Sequence, residues 1–191
     1  MTKFSCFSFS AWRRRSLIGL QCVLLSLACA SAPAQAQSCG SLCELYGGLL
    51  LAPERDLIGS LRQLEKVAKP LVGPRNTRGR WIQRDAYLGQ EAFDTTFYLK
   101  SGLVQRIELV STAPDVQCRA GTPWTGAIES LEAWQGKDAV IGQIATGDSV
   151  QRSAHWSAGE VDVSVYLSVS AVACSTKVAF KKRDVRDGSE L

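Results

Sequence analysis

Few residues in this chain have types and spacing that could do chemistry. A Ser–His–Asp hydrolase needs a histidine base, and the chain holds a single histidine, His155. It sits between Ala154 and Trp156 with no nucleophile elbow nearby, so a strand histidine facing solvent or a groove is the expected role. Gly47-Gly48 has no lysine after it of the kind that cradles a nucleotide phosphate. A pair of carboxylates could serve a glycosidase. Asp94 and Asp162 are the matched pair available, and both fall on the polar side of alternating segments, where solvation accounts for them. Cys39, Cys43, Cys118 and Cys174 remain after the first 36 residues. The Cys39–Cys43 spacing would suit two zinc ligands, but no second close pair follows. Disulfides are therefore expected, with all three pairings open and no free thiol for Cys–His catalysis. In the chain-entropy model, closing Cys118 on Cys174 is worth ~4 kcal/mol, and closing Cys39 on Cys43 ~2 kcal/mol.

One cluster points to recognition. Arg75, Arg78, Arg80 and Arg84 surround Trp81. Arginine and tryptophan dominate interface energetics, so this basic loop between helix and strand is the candidate partner-binding site. An acidic cleft or surface on a protein would complement it.

The elements that must position these residues follow from periodicity. Leu57, Leu61, Leu64 and Ala68 recur at helical spacing, which predicts a helix over 53–68, with Pro53 in its first turn and Pro70 and Gly73-Pro74 ending it. Strands are expected over 80–88, 92–99 and 103–110, with Lys100-Ser101-Gly102 as a hairpin turn. A second helix starts at Thr122 as cap with Pro123 in its first position, presents Trp124, Ile128, Leu131 and Trp134, and stops at Gly136. Trp124, Trp134 and Trp156 are expected in the core. Strands over 150–156, 161–169 and 174–182 complete the pattern, and the polar tail over 183–191 should fray.

The start of the chain sets the compartment. Lys3, Arg13, Arg14 and Arg15 precede an apolar run over 17–30, then Ala34-Gln35-Ala36. This charged, apolar, small-residue order is that of a cleavable signal peptide over 1–36, and the run is too short to stay as a membrane anchor. Export by the general secretory route is expected, or by the twin-arginine route given Arg14-Arg15-Ser16-Leu17-Ile18. Cleavage removes four of the 22 basic residues and none of the 18 acidic ones. The mature chain is then formally neutral, without the basic field that nucleic-acid binding needs.

The two halves resemble each other. A shift of 68 residues aligns Gly79 with Gly147, Gln83-Arg84 with Gln151-Arg152, Ala86 with Ala154, Asp94 with Asp162, and Tyr98-Leu99 with Tyr166-Leu167. Element order repeats as well. The expected fold is α+β: tandem helix-plus-antiparallel-sheet units over 37–118 and 119–182. A helix ending in the run over 64–74, followed by a meander carrying Phe97-Tyr98-Leu99-Lys100-Ser101-Gly102-Leu103-Val104, resembles the exported repeats of the β-lactamase-inhibitor protein and outer-membrane-assembly lipoprotein group. The resemblance implies a helix-then-sheet unit, paired in tandem as in the inhibitor. It carries over no functional residue, and the lipobox of the assembly lipoproteins is missing here, since Ser26 stands three positions before Cys29.

The functional expectation is a periplasmic or secreted protein-binding module without catalytic residues, cofactor or metal. It would act as an inhibitor or immunity-type protein on another exported enzyme, through the sheet face or the arginine loop. A structural or assembly factor of the cell envelope is the alternative.

Overall fold

Among the described residues, eight antiparallel strands form one sheet, and four helices pack against it. The computed structural model describes residues 39–183, so the expected signal over 1–36 and the tail beyond Arg183 lie outside the described residues. In chain order the elements are α1 (Gly40–Leu49), α2 (Glu54–Ser60), β1 (Leu64–Val72), a 3-10 turn (Pro74–Asn76), β2 (Arg78–Leu88), β3 (Glu91–Lys100), β4 (Leu103–Ser111), α3 (Asp115–Ala120), α4 (Thr122–Gln135), β5 (Val140–Thr146), β6 (Ser149–Ala158), β7 (Val161–Val169) and β8 (Cys174–Lys182). Two helices followed by a four-strand meander thus occur twice. The sheet order is β1-β2-β3-β4-β8-β7-β6-β5, so the last strands of the two meanders pair at the centre.

Directly opposed residues in antiparallel strands share a face, which makes one row decisive. Trp81, Phe97, Ile107, Phe180, Val163 and Trp156 are successive cross-strand partners from β2 to β6. Apart from the half-buried Trp81, all are buried. A parallel row runs Gln83, Thr95, Leu109, Val178, Val165 and Ala154. Helix α1 presses Cys43, Tyr46 and Leu49 into the core, and α4 presses Trp124, Ala127 and Leu131 into it. Tyr46 stands edge-on to both Phe97 and Phe180, at 5.7 and 5.8 Å between centroids, so one ring bridges the two meanders. Its hydroxyl lies 3.1 Å from both the Gln83 carbonyl oxygen, to which it donates, and the Thr95 hydroxyl. Burial pushes the Tyr46 hydroxyl up to about 12, against the opposing bond to Thr95.

Among the described residues the disulfides are Cys39–Cys43 and Cys118–Cys174. The first staples the start of α1, and the second ties α3 to the start of β8.

Several sequence expectations need correction. The helix over 53–68 ends at Ser60, and Leu64–Val72 is strand β1, paired with β2 through Leu64↔Gln83, Glu65↔Ile82 and Lys66↔Trp81. Leu57 and Leu61 do bury, as the helical stripe required, but Ala68 is exposed. A helix of two turns gains little alone, and a ladder to β2 outweighs extending it toward Pro70. The proline sits in an edge strand, where its missing N–H is tolerated, within an interruption of register between Lys66 and Leu71. Thr122 caps nothing with its side chain; Gly121, at φ 82°, is both the end of α3 and the N-cap of α4. Helices α1 and α3 and strand β5 have no counterpart among the elements expected from periodicity. Arg183 is anchored rather than frayed, since its amide donates to the Glu160 carbonyl and its side chain reaches Asp162.

Two substitutions should move stability in opposite directions. Tyr46→Phe leaves Gln83 and buried Thr95 short of a partner and should cost about 1–2 kcal/mol. Because the unfolded hydroxyl ionises near pH ~10 and the folded one does so higher, native stability should also fall as pH rises above ~10, and this alkaline limb should weaken in Tyr46→Phe. Thr176 is fully buried with no hydrogen-bond partner for its hydroxyl, so Thr176→Val should gain about 1 kcal/mol. Urea unfolding of the three proteins measures both; a destabilised Thr176→Val would contradict the orphaned hydroxyl.

Candidate functional site

The second face of the sheet carries a different residue set. Its rows are Ile82–Thr96–Glu108–Ala179–Ser164–His155–Val140, then Tyr98–Arg106–Lys181–Asp162–Ser157, and Asp94–Val110–Lys177–Tyr166–Ser153–Gly142. Among the described residues the helices bury their apolar side chains against the opposite face. This open face mixes tyrosines, serines and both signs of charge, and β5 adds exposed Val140 and Ile144.

The five residues expected to form one basic loop are dispersed. Arg78, Arg80, Trp81 and Arg84 lie within strand β2, and only Arg75 is in the turn before it. Trp81 opposes Phe97, so it faces the helices rather than solvent. Its ring N–H donates to Glu54 at 2.7 Å, and the Lys66 ammonium lies 5.9 Å from its ring centre. Arg80 falls where the β2–β3 register shifts, between Gly79 and Trp81, and pairs with the same Glu54 at 3.3 Å. Arg84 pairs with Asp94 and Glu65, which hold its guanidinium above its ordinary range. Arg78 is exposed and has no ion pair among the described residues. The reason for the dispersal is geometric: consecutive strand residues point to opposite faces, and each register shift re-aims the side chains beyond it.

Arg75 joins a group the sequence did not suggest. Pro74, Arg75, Thr77, Lys100, Gln105, Arg106, Lys181 and Lys182 line a cleft of about 300 Å³. It lies at the β4–β8 seam, where Arg106 and Lys181 are directly opposed. Gln105 is the extra residue of a bulge, because Tyr98 opposes Arg106 while Leu99 opposes Val104. Arg106 pairs with Glu108, Lys181 with Asp162 at 3.6 Å, and Lys182 with Glu160. These three carboxylates are not part of the lining. The cations come from four separate segments; only the helix-free side of each strand, read together with the pairing of β4 and β8, would have revealed them.

The turn bearing Arg75 is held from several sides. Arg75 and Asn76 both have left-handed backbone, at φ 54° and 62°. Gly73 N–H donates to Thr77 O, and the Thr77 amide and hydroxyl both donate to Pro74 O. A Cβ on Gly73 would come within 2.4 Å of the Tyr98 ring, so glycine is required for the turn to lie on it. Burial, then Glu108, raises the Tyr98 hydroxyl above its ordinary range.

His155 accepts or donates at Nδ1 to the Ser164 hydroxyl at 2.9 Å and stands edge-on to Tyr166. Ser164 is buried, and no described carboxylate bonds the imidazole. A hydrolytic relay would need an accessible serine and an acid behind the histidine. Asp94 and Asp162 are not simply solvated: the first pairs with Arg84, the second with Ser157, Lys181 and Arg183. Partial burial works against ionised Asp162, but the Ser157 hydroxyl and the two cations outweigh it and lower its pKa.

No family model matches this chain, and neither a curated protein nor a solved structure does.

The Asp162 network gives an acid-side signature. A depressed carboxyl pKa contributes stability above the ordinary aspartate value of ~4 and loses it as pH falls through the folded value. Asp162→Asn should therefore be less stable than the native chain at pH 7, by under about 1 kcal/mol because Lys181 and Arg183 stand partly in solvent. The difference should shrink below pH ~4. Thermal melts across that range measure it, and a constant difference would contradict the assignment.

Proposed function

We propose that this chain is an exported protein-binding module of the inhibitor or immunity type, which holds a partner protein on the open face of its sheet. The observation that carries the reading is that face itself. Tyr87, Val140, Ile144 and Tyr166 lie on it exposed, among serines and paired charges. Aromatic and branched side chains on a rigid support, ringed by polar groups, are what protein recognition uses. The charged order of 1–36 and two disulfides suit a chain cut after Ala36 and folded in the periplasm or outside the cell. The repeated element order, with Asp94 and Asp162, and Tyr98 and Tyr166, matched in sequence and on the same open face, supports a tandem duplication, in keeping with the resemblance to the exported inhibitor and assembly repeats. In this reading the protein is not an enzyme, and the buried Ser164 beside His155 serves structure.

A specific observation favours envelope assembly as the second reading. Strand β5, Val-Ile-Gly-Gln-Ile-Ala-Thr, is an uncharged edge with all seven residues exposed. An edge of that kind can accept a strand from another chain.

Affinity capture from an envelope extract tests the first reading. The double variant Tyr166→Arg with Ile144→Arg should melt within a few degrees of the native chain, both sites being exposed, and should retain the partner at least ~10-fold less well. Equal retention by the variant would overturn it. Failure to retain any partner, together with a disturbed envelope on depletion, would favour assembly. Intact-mass measurement of the exported protein should place its first residue at Gln37.

A further inference from the structure

We propose that the basic cleft at the β4–β8 seam is a binding site for a multiply charged phosphoryl group, either free or carried on a lipid headgroup. The site is distinct from the exposed aromatic and branched side chains proposed to meet a protein. Five cationic side chains, Arg75, Lys100, Arg106, Lys181 and Lys182, line about 300 Å³, with no carboxylate in the lining among the described residues, although Arg106, Lys181 and Lys182 each also pair with a carboxylate outside it. Within that group Arg106 and Lys181 are directly opposed across an antiparallel pair. Each also keeps a carboxylate partner, Glu108 for Arg106 and Asp162 for Lys181. An anion seated between them would take the N–H donors of each cation that those carboxylates leave open.

The surroundings are shaped to hold such a group. The bulge at Gln105 breaks the ladder beside Arg106 and brings an amide side chain into the lining. Bulges recur where a side chain must be re-aimed toward a site. Arg75 is presented from a left-handed backbone, as is Asn76. Non-glycine residues persist there only where their surroundings over-determine them. Here the fixing contacts are the bonds between Gly73, Pro74 and Thr77, and the seat of Gly73 on Tyr98. The fixed turn thus brings Arg75 into the same lining as cations from β3, β4 and β8.

The directions of the donors distinguish phosphoryl from carboxylate. A carboxylate carries one charge in a plane and is satisfied by one guanidinium fork. A phosphomonoester carries close to two charges and three acceptor oxygens. Donors approaching from a turn and three strands fit the tetrahedral group better than the planar one.

Titration of the full mature chain tests this. Amide NMR shifts would be followed while adding sodium pyrophosphate, and citrate at equal ionic strength in parallel. Saturable shifts should appear at Thr77, Lys100, Gln105, Arg106 and Lys181, with pyrophosphate binding at least ~5-fold tighter than citrate. Lys100→Glu and Arg75→Glu, both exposed, should each weaken pyrophosphate at least ~10-fold with melting temperatures nearly unchanged. Vesicles of phosphatidylcholine with and without one tenth phosphatidic acid form the lipid arm. Cosedimentation only with the acid-containing vesicles, lost in both variants, would assign the phosphoryl group to a headgroup; pyrophosphate binding without it would assign a free ligand. Either result supports the proposal. No saturable shift with no cosedimentation, citrate binding as tightly as pyrophosphate, binding unchanged in both variants, or a hexaglutamate peptide binding more tightly than pyrophosphate would overturn it. Partner retention is not part of these measurements, so the outcome is independent of the protein-binding reading.

Discussion

The row Trp81–Phe97–Ile107–Phe180–Val163–Trp156 fixes the rest of the molecule. It crosses six strands through four different chain reversals and one long return, and every neighbour in it is a direct cross-strand partner. Shifting any of those strands by one residue would turn its apolar set toward the open face. Burying each large member contributes roughly 1.5–3 kcal/mol, so the register is strongly specified. Tyr46 then lies across Phe97 and Phe180, and the position of α1 follows from a row it did not create. The opposite face inherits its pattern from the same choice. Once Phe97 and Phe180 point toward the helices, Tyr98, Arg106, Lys181 and Asp162 must point away.

Strands were legible where burial alternates. Residues 161–169 read as a half-buried strand, and the structure gives β7 with the same limits. The Lys100-Ser101-Gly102 turn was legible for a local reason, since Ser101 and Gly102 both take left-handed backbone. Strands β1 and β5 were not legible, because both are sheet edges. An edge strand buries little, so its side chains carry no period of two: β5 is exposed throughout and β1 nearly so. In 53–68 the leucines at helical spacing are real core contacts at Leu57 and Leu61. Beyond them the pattern continues by coincidence into a segment whose backbone bonds go to β2.

The candidate site was less legible than the fold. A run such as Arg75–Arg84 is close in sequence, but a strand divides near neighbours between two faces and between carboxylate partners. Trp81 went to Glu54 and the helices, and Arg84 to Asp94 and Glu65. The cleft cations are the reverse case. Lys100 and Lys182 are far apart in sequence and meet only because β4 pairs with β8. Long-range pairing of that kind leaves no local pattern. The cysteines fall between the two: their even number indicated bridges, while the choice of Cys118 with Cys174 depended on α3, a helix with no sequence signal of its own.

The central β4–β8 seam also governs when the fold can be completed. β8 is the last of the described elements, yet it lies in the middle of the sheet with β4 on one side and β7 on the other. A chain that folds as its N-terminal half becomes available can form β1 to β4 early. That half then waits with the inner edge of β4 bare and the Phe97–Ile107 row cut short. Contacts of such long sequence separation form slowly, and an unpaired inner edge invites foreign strands. The waiting half is therefore the species most exposed to misassembly, and the one a chaperone would need to shield. The Cys118–Cys174 bond sits at the entry to β8, so its oxidation ties the closing strand to α3.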